Sequence, residues 1–367
     1  MKPNTAAYDA ILKAIKAKGR PLNFAEFTEL SLFGPGYGYY SRARVRIKDK
    51  GGDFVTSPEA SPLFGNATAR AIRDYWEDLG RPKEFTIVEM GAGNGTWARD
   101  ILDAIQREHP EALQAALTYI IVESSPGLKA LQRKTLHGRH VHWHGTSAFD
   151  TGLTTGSITG AVISNELPDC FPAHRIIRRG DTIREIYIDV NHDGQLLEIE
   201  RSISPDIDLM YYQDVLIEGI EMAYQPRLPD WVKEVSRILA RGFVLTIDYG
   251  GTADQLAIHG ENLAAYGVFE GGPRTGDHHI RNAIKYPGCV DITAKANFSD
   301  IMRFGSDAQL ITLDYLYQKD FLFNHGLALD MELLRGSPER TAAERLIDVQ
   351  EFGMFKVLVQ RKQTGTD

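Results

Sequence analysis

Three glycines follow a short apolar run in the stretch TIVEMGAGNGTWARDIL, residues 86–102. Gly91, Gly93 and Gly95 give the spacing G-x-G-x-G. A strand that passes through a glycine-rich turn into a helix is typical of nucleotide-type cofactor sites, because glycine lets the backbone approach a ligand closely. Dinucleotide sites favour G-x-G-x-x-G instead, and here Thr96 occupies the place of the third glycine.

Two acidic residues flank this turn in the sequence. Glu89 precedes the glycines. Its charge would repel a pyrophosphate but suits a ligand with a cationic amino-acid end. Glu123 ends the second predicted strand, where an acidic residue can accept hydrogen bonds from both ribose hydroxyls. An adenosine without phosphates and a charged methionine tail describe S-adenosyl-L-methionine, which we therefore predict as the cofactor. The alternatives are a turn that only permits tight packing, with Glu123 a solvated strand end, and an NAD site.

Two later strand ends carry further polar residues. The fourth predicted strand ends in SNELPD, which supplies Asn165, Glu166 and Asp169, and the fifth ends in IDYGG, which supplies Asp248 and Tyr249. Ligands of open parallel sheets bind beyond the carboxyl ends of the strands, so we expect these residues to face a methyl acceptor. Carboxylates there would bind an amine or guanidinium and orient it for in-line transfer. For Asn165 alone, a turn-capping role is the simpler interpretation.

Strand and helix patterns alternate along most of the chain, which predicts a parallel sheet with helices on its faces. The predicted helices are NATARAIRDYWEDLGRP, GTWARDILDAIQREHP, GLKALQRKTLHG and LPDWVKEVSRILARG. The predicted strands are FTIVEM, LTYIIVESSP, HVHWHG, GAVISNELPD, FVLTIDYGG and FKVLVQRK. The residues between the last two strands are predicted as loops followed by a helical stretch. Turn residues 191–194 predict a hairpin.

The domain organisation follows from this alternation. Residues 82–367 are predicted to form an α/β domain with insertions at about 170–228 and 251–310. Residues 1–81 are predicted as a helical and loop segment that covers the active site, with a first helix carrying Ala7, Ile11 and Ile15 at helical spacing. Residues 33–65 are predicted to be a long, ordered loop.

Composition excludes several functions. The chain has 367 residues, 43% of them hydrophobic, and a net charge of −8. The negative charge argues against sequence-independent binding of nucleic acid. Its two cysteines, Cys170 and Cys289, form no metal-binding or disulfide pattern. No apolar run is long enough for a membrane span. The N-terminal residues resemble neither a secretory signal nor a clear transit peptide, so a bacterial-type, cytoplasmic location is expected.

Several segments together resemble the MidA family, which includes the mitochondrial complex I assembly factor that acts as a protein arginine methyltransferase. The matching segments are YGYY, GGDFVTSPEASPLFG, VEMGAGNGTWARDIL, IVESSPGLKALQ, SNELPDCFPAH, IDYG, PGCVDITAKANF and FGMFKVLV. The resemblance runs from about Tyr37 to the C-terminus. Two departures stand out: Ala92 replaces a proline of the glycine turn, and Leu167–Pro168 replace two aromatic residues.

The resemblance implies a Rossmann-like, seven-stranded, S-adenosyl-L-methionine-dependent methyltransferase fold with a helical N-terminal segment and inserted hairpin and loop elements. It also implies a protein substrate carrying an arginine, such as a subunit of respiratory complex I. Carried over by position, cofactor binding falls on Thr56, Ser57, Pro58, Glu59, Glu89, Gly91, Gly93, Asn94, Gly95, Glu123 and Ser124, with Asp53 in the same loop as Thr56. The acceptor side falls on Asn165, Glu166 and Asp169, beside the Asp248 and Tyr249 proposed above.

Two other functions stay open at the level of the sequence. One is the same chemistry on a small molecule, and the other is an assembly chaperone that binds the cofactor and a client without turnover. An oxidoreductase ranks last because Glu89 would face the dinucleotide phosphates. The identity of the acceptor, the number of methyl groups and the oligomeric state do not follow from the sequence.

Overall fold

The structure is a computed structural model that describes residues 5–41, 55–145, 147–209, 212–260, 262–267 and 280–363. The chain divides into two compact units. We call Arg46–Leu167, Pro229–Tyr249 and Asp300–Asp367 the parallel-sheet unit. Met1–Val45, Pro168–Leu228 and Gly250–Ser299 form the antiparallel-sheet unit. Both contain segments that are far apart in the sequence.

The helices and strands are as follows. The helices are α1 (Thr5–Lys18), α2 (Phe24–Phe33), α3 (Ser57–Ala60), α4 (Leu63–Asp78), α5 (Thr96–Glu108), α6 (Glu111–Ala116), α7 (Pro126–Thr135), α8 (Tyr212–Val215), α9 (Leu228–Ile238), α10 (Ala253–His259), α11 (Arg281–Lys285), α12 (Phe298–Asp307), α13 (Gln318–Asn324), α14 (Leu327–Leu333) and α15 (Pro338–Glu344). The strands are β1 (Leu22–Asn23), β2 (Phe85–Met90), β3 (Leu117–Val122), β4 (Val141–His144), β5 (Ile158–Asn165), β6 (His174–Arg179), β7 (Thr182–Val190), β8 (Leu196–Arg201), β9 (Glu221–Tyr224), β10 (Leu239–Asp248), β11 (Gly250–Gly251), β12 (Leu263–Tyr266), β13 (Asp291–Ala294), β14 (Ala296–Asn297), β15 (Leu310–Tyr317) and β16 (Lys356–Lys362).

A seven-stranded sheet organises the parallel-sheet unit, in the order β15-β16-β10-β5-β2-β3-β4. The five strands from β10 to β4 are parallel, whereas β16 runs antiparallel to both β10 and β15. From β2 the chain first builds outward through β3 and β4, and then continues on the other side of β2 with β5 and β10. In this doubly wound sheet the direction in which strands are added reverses between β2 and β5. Open α/β sheets bind their ligands at such a point.

The central strands are apolar on both faces because helices cover both sides of the sheet. On one face Ile87, Ile121 and Ile163 belong to a core cluster that includes Trp97 of α5 and Ile72 of α4. Met90 lies next to Trp231 of α9, whose indole nitrogen approaches the methionine sulfur to 3.3 Å. The buried residues of β2 therefore hold this strand in the sheet up to Met90, directly before the glycine turn.

The antiparallel-sheet unit has its own core. Its five-stranded sheet has the order β1-β7-β6-β9, with β8 paired to β7. Residues of α1 and α2, including Ile11 and Phe27, form one core cluster with Ile188 of β7 and Ile292 of β13. The predicted hairpin is confirmed as β7 and β8, with Val190 opposite Leu196. The Tyr8 hydroxyl ties α1 to the hairpin turn by donating to the Gly194 carbonyl at 2.9 Å.

Most predicted elements of the parallel sheet are confirmed, and the differences have physical causes. The helix predicted to reach Gly242 ends at Ile238, because β10 begins at Leu239 and pairs with Ile158 of β5. The strand β15 was missed inside the predicted helical stretch. Residues 311–314 of this edge strand are all exposed, so the strand lacks the alternation of buried and exposed side chains that would indicate it in the sequence. Residues 55–65, predicted as loop, contain α3 and the start of α4.

The observed division of the chain also differs from the predicted domains. Residues 55–81 belong to the parallel-sheet unit, whereas residues 5–41 form one unit with the two predicted insertions. The spacing of apolar residues along the sequence does not reveal such a division. The strand β1 pairs with β7, which lies about 160 residues further along the chain. None of the described helices is long and apolar enough to cross a membrane.

Candidate functional site

Four neighbouring parallel strands of the parallel-sheet unit end at one edge of the sheet. In spatial order they are β10, β5, β2 and β3. Asn165 is paired with Ile247, and Met90 is paired with both Ser164 and Val122. The residues that follow these strands, which include most of the predicted site, are therefore brought to the same edge.

The glycine turn connects β2 to α5 through left-handed backbone. Gly91, Gly93 and Gly95 have φ angles of 74°, 52° and 83°. A Cβ on Gly95 would lie 3.4 Å from the Gln132 Cα, so this glycine permits the close approach of α7. A Cβ on Gly93 would meet no described heavy atom within 4 Å, so the turn opens there onto free space. A ligand can occupy this space, which lies at the start of α5.

Glu89 lies beneath the turn as a buried acid. Its side chain is 2% exposed, and its Oε2 accepts a hydrogen bond from the Tyr119 hydroxyl at 2.7 Å. Burial raises the pKa of Glu89 to about 7, the Tyr119 hydrogen bond opposes that rise, and the charge of Glu123 adds to it. In its ionised form this acid favours a neighbouring cation and disfavours a phosphate.

Glu123 is held in place from two sides. Its Oε1 accepts from the Ser125 backbone N–H at 2.8 Å, and its Oε2 accepts from the Gln132 amide at 3.0 Å. Burial raises the pKa of Glu123, and these hydrogen bonds oppose the rise. A carboxylate offers about four lone-pair sites, so acceptor capacity remains for ribose hydroxyls. Ser124, also predicted for the cofactor, is exposed beside it.

The predicted loop residues 56–59 form the N-terminal turn of α3, in the same unit as the glycine turn. The Glu59 carboxylate accepts from the Thr56 backbone N–H at 3.1 Å and from the Asn94 amide at 2.7 Å. The Asn94 side-chain oxygen accepts from the Thr96 N–H at 3.0 Å, which fixes the start of α5. Ser57 donates to Gln318 at 2.9 Å. Hydrogen bonds between the predicted residues therefore join the loop to the turn.

Pro58, in the first turn of α3, is buried. Proline is suited to this position because its missing N–H is not needed there. Asp53, predicted for the same loop, lies outside the described residues.

The predicted acceptor residues of the parallel-sheet unit lie at the ends of β5 and β10. Asn165 is 9% exposed, and its amide donates to Glu166 Oε1 at 3.0 Å. The Asn165 side-chain oxygen is buried without a hydrogen-bond partner among the described residues, which is unusual for a buried acceptor. Asp248 is buried, and its Oδ1 accepts from the Tyr249 N–H at 2.8 Å. The Tyr249 ring lies 5.6 Å from the Phe355 ring.

The backbone of Glu166 is strained. Its φ is 50°, a value that few residues other than glycine adopt, and its N–H donates to the Ile247 carbonyl at 2.9 Å. This bond ties the end of β5 to β10. Strained residues of this kind concentrate at functional sites, where the surrounding structure holds them.

Asp169, the fifth predicted acceptor residue, belongs to the antiparallel-sheet unit. It lies in a short 3₁₀ helix, Pro168–Cys170, and is 6% exposed. The Thr293 hydroxyl donates to its Oδ2 at 3.0 Å. In the same unit the Tyr40 hydroxyl donates to Asp291 at 2.9 Å.

Sequence reasoning missed two residues that organise the site. Tyr119 lies within an apolar strand and holds Glu89, and Gln132 lies within α7 and holds Glu123. A signal for Gln132 exists in the sequence: it stands four residues after Leu128 and four before Leu136, in the position of a core residue on a helix. A polar residue there indicates a buried hydrogen-bond partner.

These residues fit S-adenosyl-L-methionine. The space at Gly93 leaves room for the methionine end, and two buried carboxylates favour its positive charges. The described residues contain no group of three or more His, Cys, Asp and Glu side chains that could hold a metal ion. A seven-stranded doubly wound sheet with this turn and these acids defines an S-adenosyl-L-methionine-dependent methyltransferase.

Comparison with known proteins agrees with this class. A family model described as S-adenosyl-L-methionine-dependent methyltransferase matches residues 67–316, and the chain belongs to this family. A crystal structure of a Burkholderia thailandensis protein bound to S-adenosyl-homocysteine is similar over 98% of this chain and 92% of that chain, with 27% identity and a TM-score of 0.83. The predicted fold class, enzyme class and cofactor are thereby confirmed.

Curated relatives match over nearly the whole chain. "Protein arginine methyltransferase NDUFAF7, mitochondrial" from Danio rerio is 25% identical, over 92% of this chain and 82% of its own length. The protein of the same name from Homo sapiens is 26% identical, over 94% of this chain and 79% of its own length. These relatives agree with the family resemblance predicted from the sequence.

Proposed function

We propose that this enzyme transfers a methyl group from S-adenosyl-L-methionine to a side-chain nitrogen of an arginine in a protein. S-adenosylhomocysteine is the leaving group, and the nitrogen that gains the methyl group releases one proton. The observation that carries the proposal is the similarity, over more than nine-tenths of the chain, to proteins named protein arginine methyltransferase. The polar residues at the ends of β5 and β10 support it, because a guanidinium stays protonated at neutral pH and is bound by carboxylates and carbonyl oxygens.

The cofactor supplies the methyl group on a sulfonium, which is electrophilic without further activation. The residues of this chain then have to bind and align. Within the proposal Glu89 and the turn at Gly93 hold the methionine end, and Glu123 holds the ribose. Thr56–Glu59 and Asn94 fix the shape of the turn through the hydrogen bonds that join them. A preformed site of this kind lowers the barrier chiefly by orientation and electrostatics.

On the acceptor side we assign Asn165 and Glu166 the binding of the guanidinium. The buried Asn165 oxygen lacks a partner among the described residues, so an incoming N–H donor would satisfy it. The strained backbone of Glu166 supports a functional role for its carboxylate. Asp248 and Tyr249 border these residues, and the part predicted for Asp169 stays a prediction.

One finer part of the proposal, a substrate in respiratory complex I, rests on the resemblance to the MidA family. The other is a cytoplasmic location for this chain. Fractionation of the source cells tests the location. Methylation of complex I subunits in cells with and without the protein tests the substrate.

The direct test is transfer of a labelled methyl group. The purified protein is incubated with S-adenosyl-L-methionine labelled in the methyl group and with extract from cells that lack the protein, and the proteins are hydrolysed for amino-acid analysis. We expect label in methylarginine, and its loss with Gly93→Val. Label confined to small molecules would contradict the protein substrate, and cofactor binding without any transfer would indicate a chaperone.

A further inference from the structure

We propose that Gln132 is a positioning residue that holds Glu123 and the glycine turn in the geometry that the cofactor requires. The inference rests on the proposed cofactor site and adds to it a residue that does not itself touch the reacting atoms. Gln132 is 0% exposed. Its amide nitrogen donates to two groups, the Gly93 carbonyl and Glu123 Oε2, both at 3.0 Å.

Both N–H donors of this amide are used. A glutamine amide has two N–H donors, and here each serves a different element: the turn after β2 and the strand end after β3. The side-chain oxygen accepts from the Trp143 indole N–H of β4 at 3.0 Å. The indole bond fixes the orientation of the amide, so that its N–H groups, and not its oxygen, face Gly93 and Glu123.

The position of Gln132 depends on the helix that carries it. α7 begins at Pro126 and is capped by Ser125, whose hydroxyl accepts from the Leu128 N–H at 3.4 Å. The same Ser125 donates its backbone N–H to Glu123. Gly95 permits α7 to approach the turn, because a Cβ there would lie 3.4 Å from the Gln132 Cα. The Glu123 carboxylate is therefore restrained by Ser125 at the start of α7 and by Gln132 in its second turn.

This arrangement has a consequence for proton binding. Burial raises the pKa of Glu123, and the Gln132 hydrogen bond is one of the contacts that lower it, because it favours the ionised carboxylate. The charge of Lys129 on α7 acts in the same direction. Glu89 on β2 is the acidic group whose charge interacts with Glu123. Without the Gln132 amide, Glu123 would become protonated at a higher pH and would then accept hydrogen bonds from the ribose hydroxyls less strongly.

The experiment compares Gln132→Leu with Trp143→Phe. Leucine retains most of the volume of Gln132 but removes both donors, whereas phenylalanine at 143 removes the indole bond to the amide oxygen and leaves both donors of Gln132 in place. Calorimetry with S-adenosylhomocysteine gives the affinity from pH 5 to 9. We expect Gln132→Leu to weaken binding about 10-fold or more at pH 8. We also expect the loss of affinity at acidic pH to begin at a higher pH in this variant than in the wild type. We expect Trp143→Phe to weaken binding less than Gln132→Leu does, because both N–H donors of Gln132 remain in that variant.

A double-mutant cycle with Glu123→Ala separates positioning from general stability. If Gln132 acts through Glu123, Gln132→Leu should weaken binding much less in the Glu123→Ala background than in the wild type. Equal weakening in both backgrounds, or wild-type affinity and pH profile for Gln132→Leu, would overturn the inference. Undiminished affinity of Glu123→Ala alone would instead contradict the proposed cofactor site.

A second measurement does not depend on whether Gln132→Leu folds. The two side-chain amide protons of Gln132 can be followed by hydrogen exchange in the ¹⁵N-labelled wild-type protein. Ligand binding that uses Glu123 should slow their exchange about 10-fold or more, because the network must open for exchange to occur. Exchange that is unaffected by S-adenosylhomocysteine would overturn the inference.

Discussion

The Tyr119 hydroxyl donates a hydrogen bond of 2.7 Å to Glu89, and both side chains are buried on the same face of the sheet, on the neighbouring strands β3 and β2. The bond places a carboxyl group directly before the glycine turn and partly opposes the rise of its pKa to about 7. Near neutral pH this acid is therefore divided between its protonated and ionised forms. The ligand that enters the turn decides which form prevails.

The stability of the protein without cofactor should fall as the pH rises from about 4.5 to about 7. In that window the unfolded Glu89 is ionised while the folded one still holds its proton, so raising the pH favours the unfolded state. The loss is on the order of 3 kcal/mol for a shift of this size. Urea unfolding across this range measures it, and Glu89→Gln should lack this part of the decline. A decline of equal size in Glu89→Gln would contradict the assignment.

Binding of S-adenosylhomocysteine at pH 7 should release protons. The cationic amino group favours ionised Glu89, which is about half protonated at that pH without the ligand, so about 0.5 proton leaves from this residue. Calorimetry in buffers with different ionisation enthalpies gives the number. Glu89→Gln is the control, since it removes this proton but keeps an acceptor for Tyr119. Release unchanged in the control would show that another group supplies the proton.

Gly93→Val should reduce the affinity for S-adenosylhomocysteine by about 100-fold or more, because the side chain would fill the space at the turn. Gly138→Val is the matched control. Gly138 also has a positive φ and no described heavy atom within 4 Å of a Cβ, but it lies on the exposed turn after α7. Both variants should lose comparable stability from the strained backbone. Calorimetry should find wild-type affinity for the control only, and equal losses of affinity in both would contradict the site.

Glu166→Gln should lower the rate of methyl transfer about 10-fold or more while leaving the affinity for S-adenosylhomocysteine within about 2-fold. The substitution keeps the shape of the side chain and removes the charge proposed to bind the guanidinium. Single-turnover kinetics and calorimetry separate the two effects. Glu339→Gln, which changes a fully exposed acid in the first turn of α15, is the control for the change in net charge. A normal rate for Glu166→Gln would remove Glu166 from the acceptor side.

The core of the parallel-sheet unit should depend on an ion pair between α4 and α14. Arg70 donates to both oxygens of Asp330 at 2.8 and 2.7 Å, and Asp330 is 8% exposed. Asp330→Ala should lower the free energy of unfolding by about 3 kcal/mol, because it leaves a half-buried charge with fewer partners. Glu332→Ala, in the same helix as Asp330, removes an exposed pair with Arg335 and should cost less than about 0.5 kcal/mol. Equal losses in urea unfolding would contradict this difference.

The sequence predicts the central parallel strands well because they are buried on both faces and the turn after β2 carries glycine. Gly91, Gly93 and Gly95 mark the turn, and Glu123 marks the end of the next strand, without knowledge of any distant contact. Local patterns fail where pairing over long distances decides the outcome. The strand β15 is one case, since it exists only as the antiparallel neighbour of β16.

The hydrogen-bond network of the site could not be predicted for the same reason. Gln132, Trp143 and Glu123 belong to three different elements, and only the packed structure brings their polar atoms within 3.0 Å. The spacing of residues along the chain reveals a polar side chain in a core position but not its partner. The ends of strands were therefore predictable, whereas the residues that hold them in place were not.

The decisive measurement for the cofactor site is a crystal structure of this protein with S-adenosylhomocysteine. We expect the ribose hydroxyls within hydrogen-bonding distance of Glu123 and the amino-acid end over Gly93, with Gln132 still bonded to both residues. A ligand bound away from the carboxyl edge of the seven-stranded sheet, or a glycine turn closed over Gly93 in the presence of saturating ligand, would contradict it.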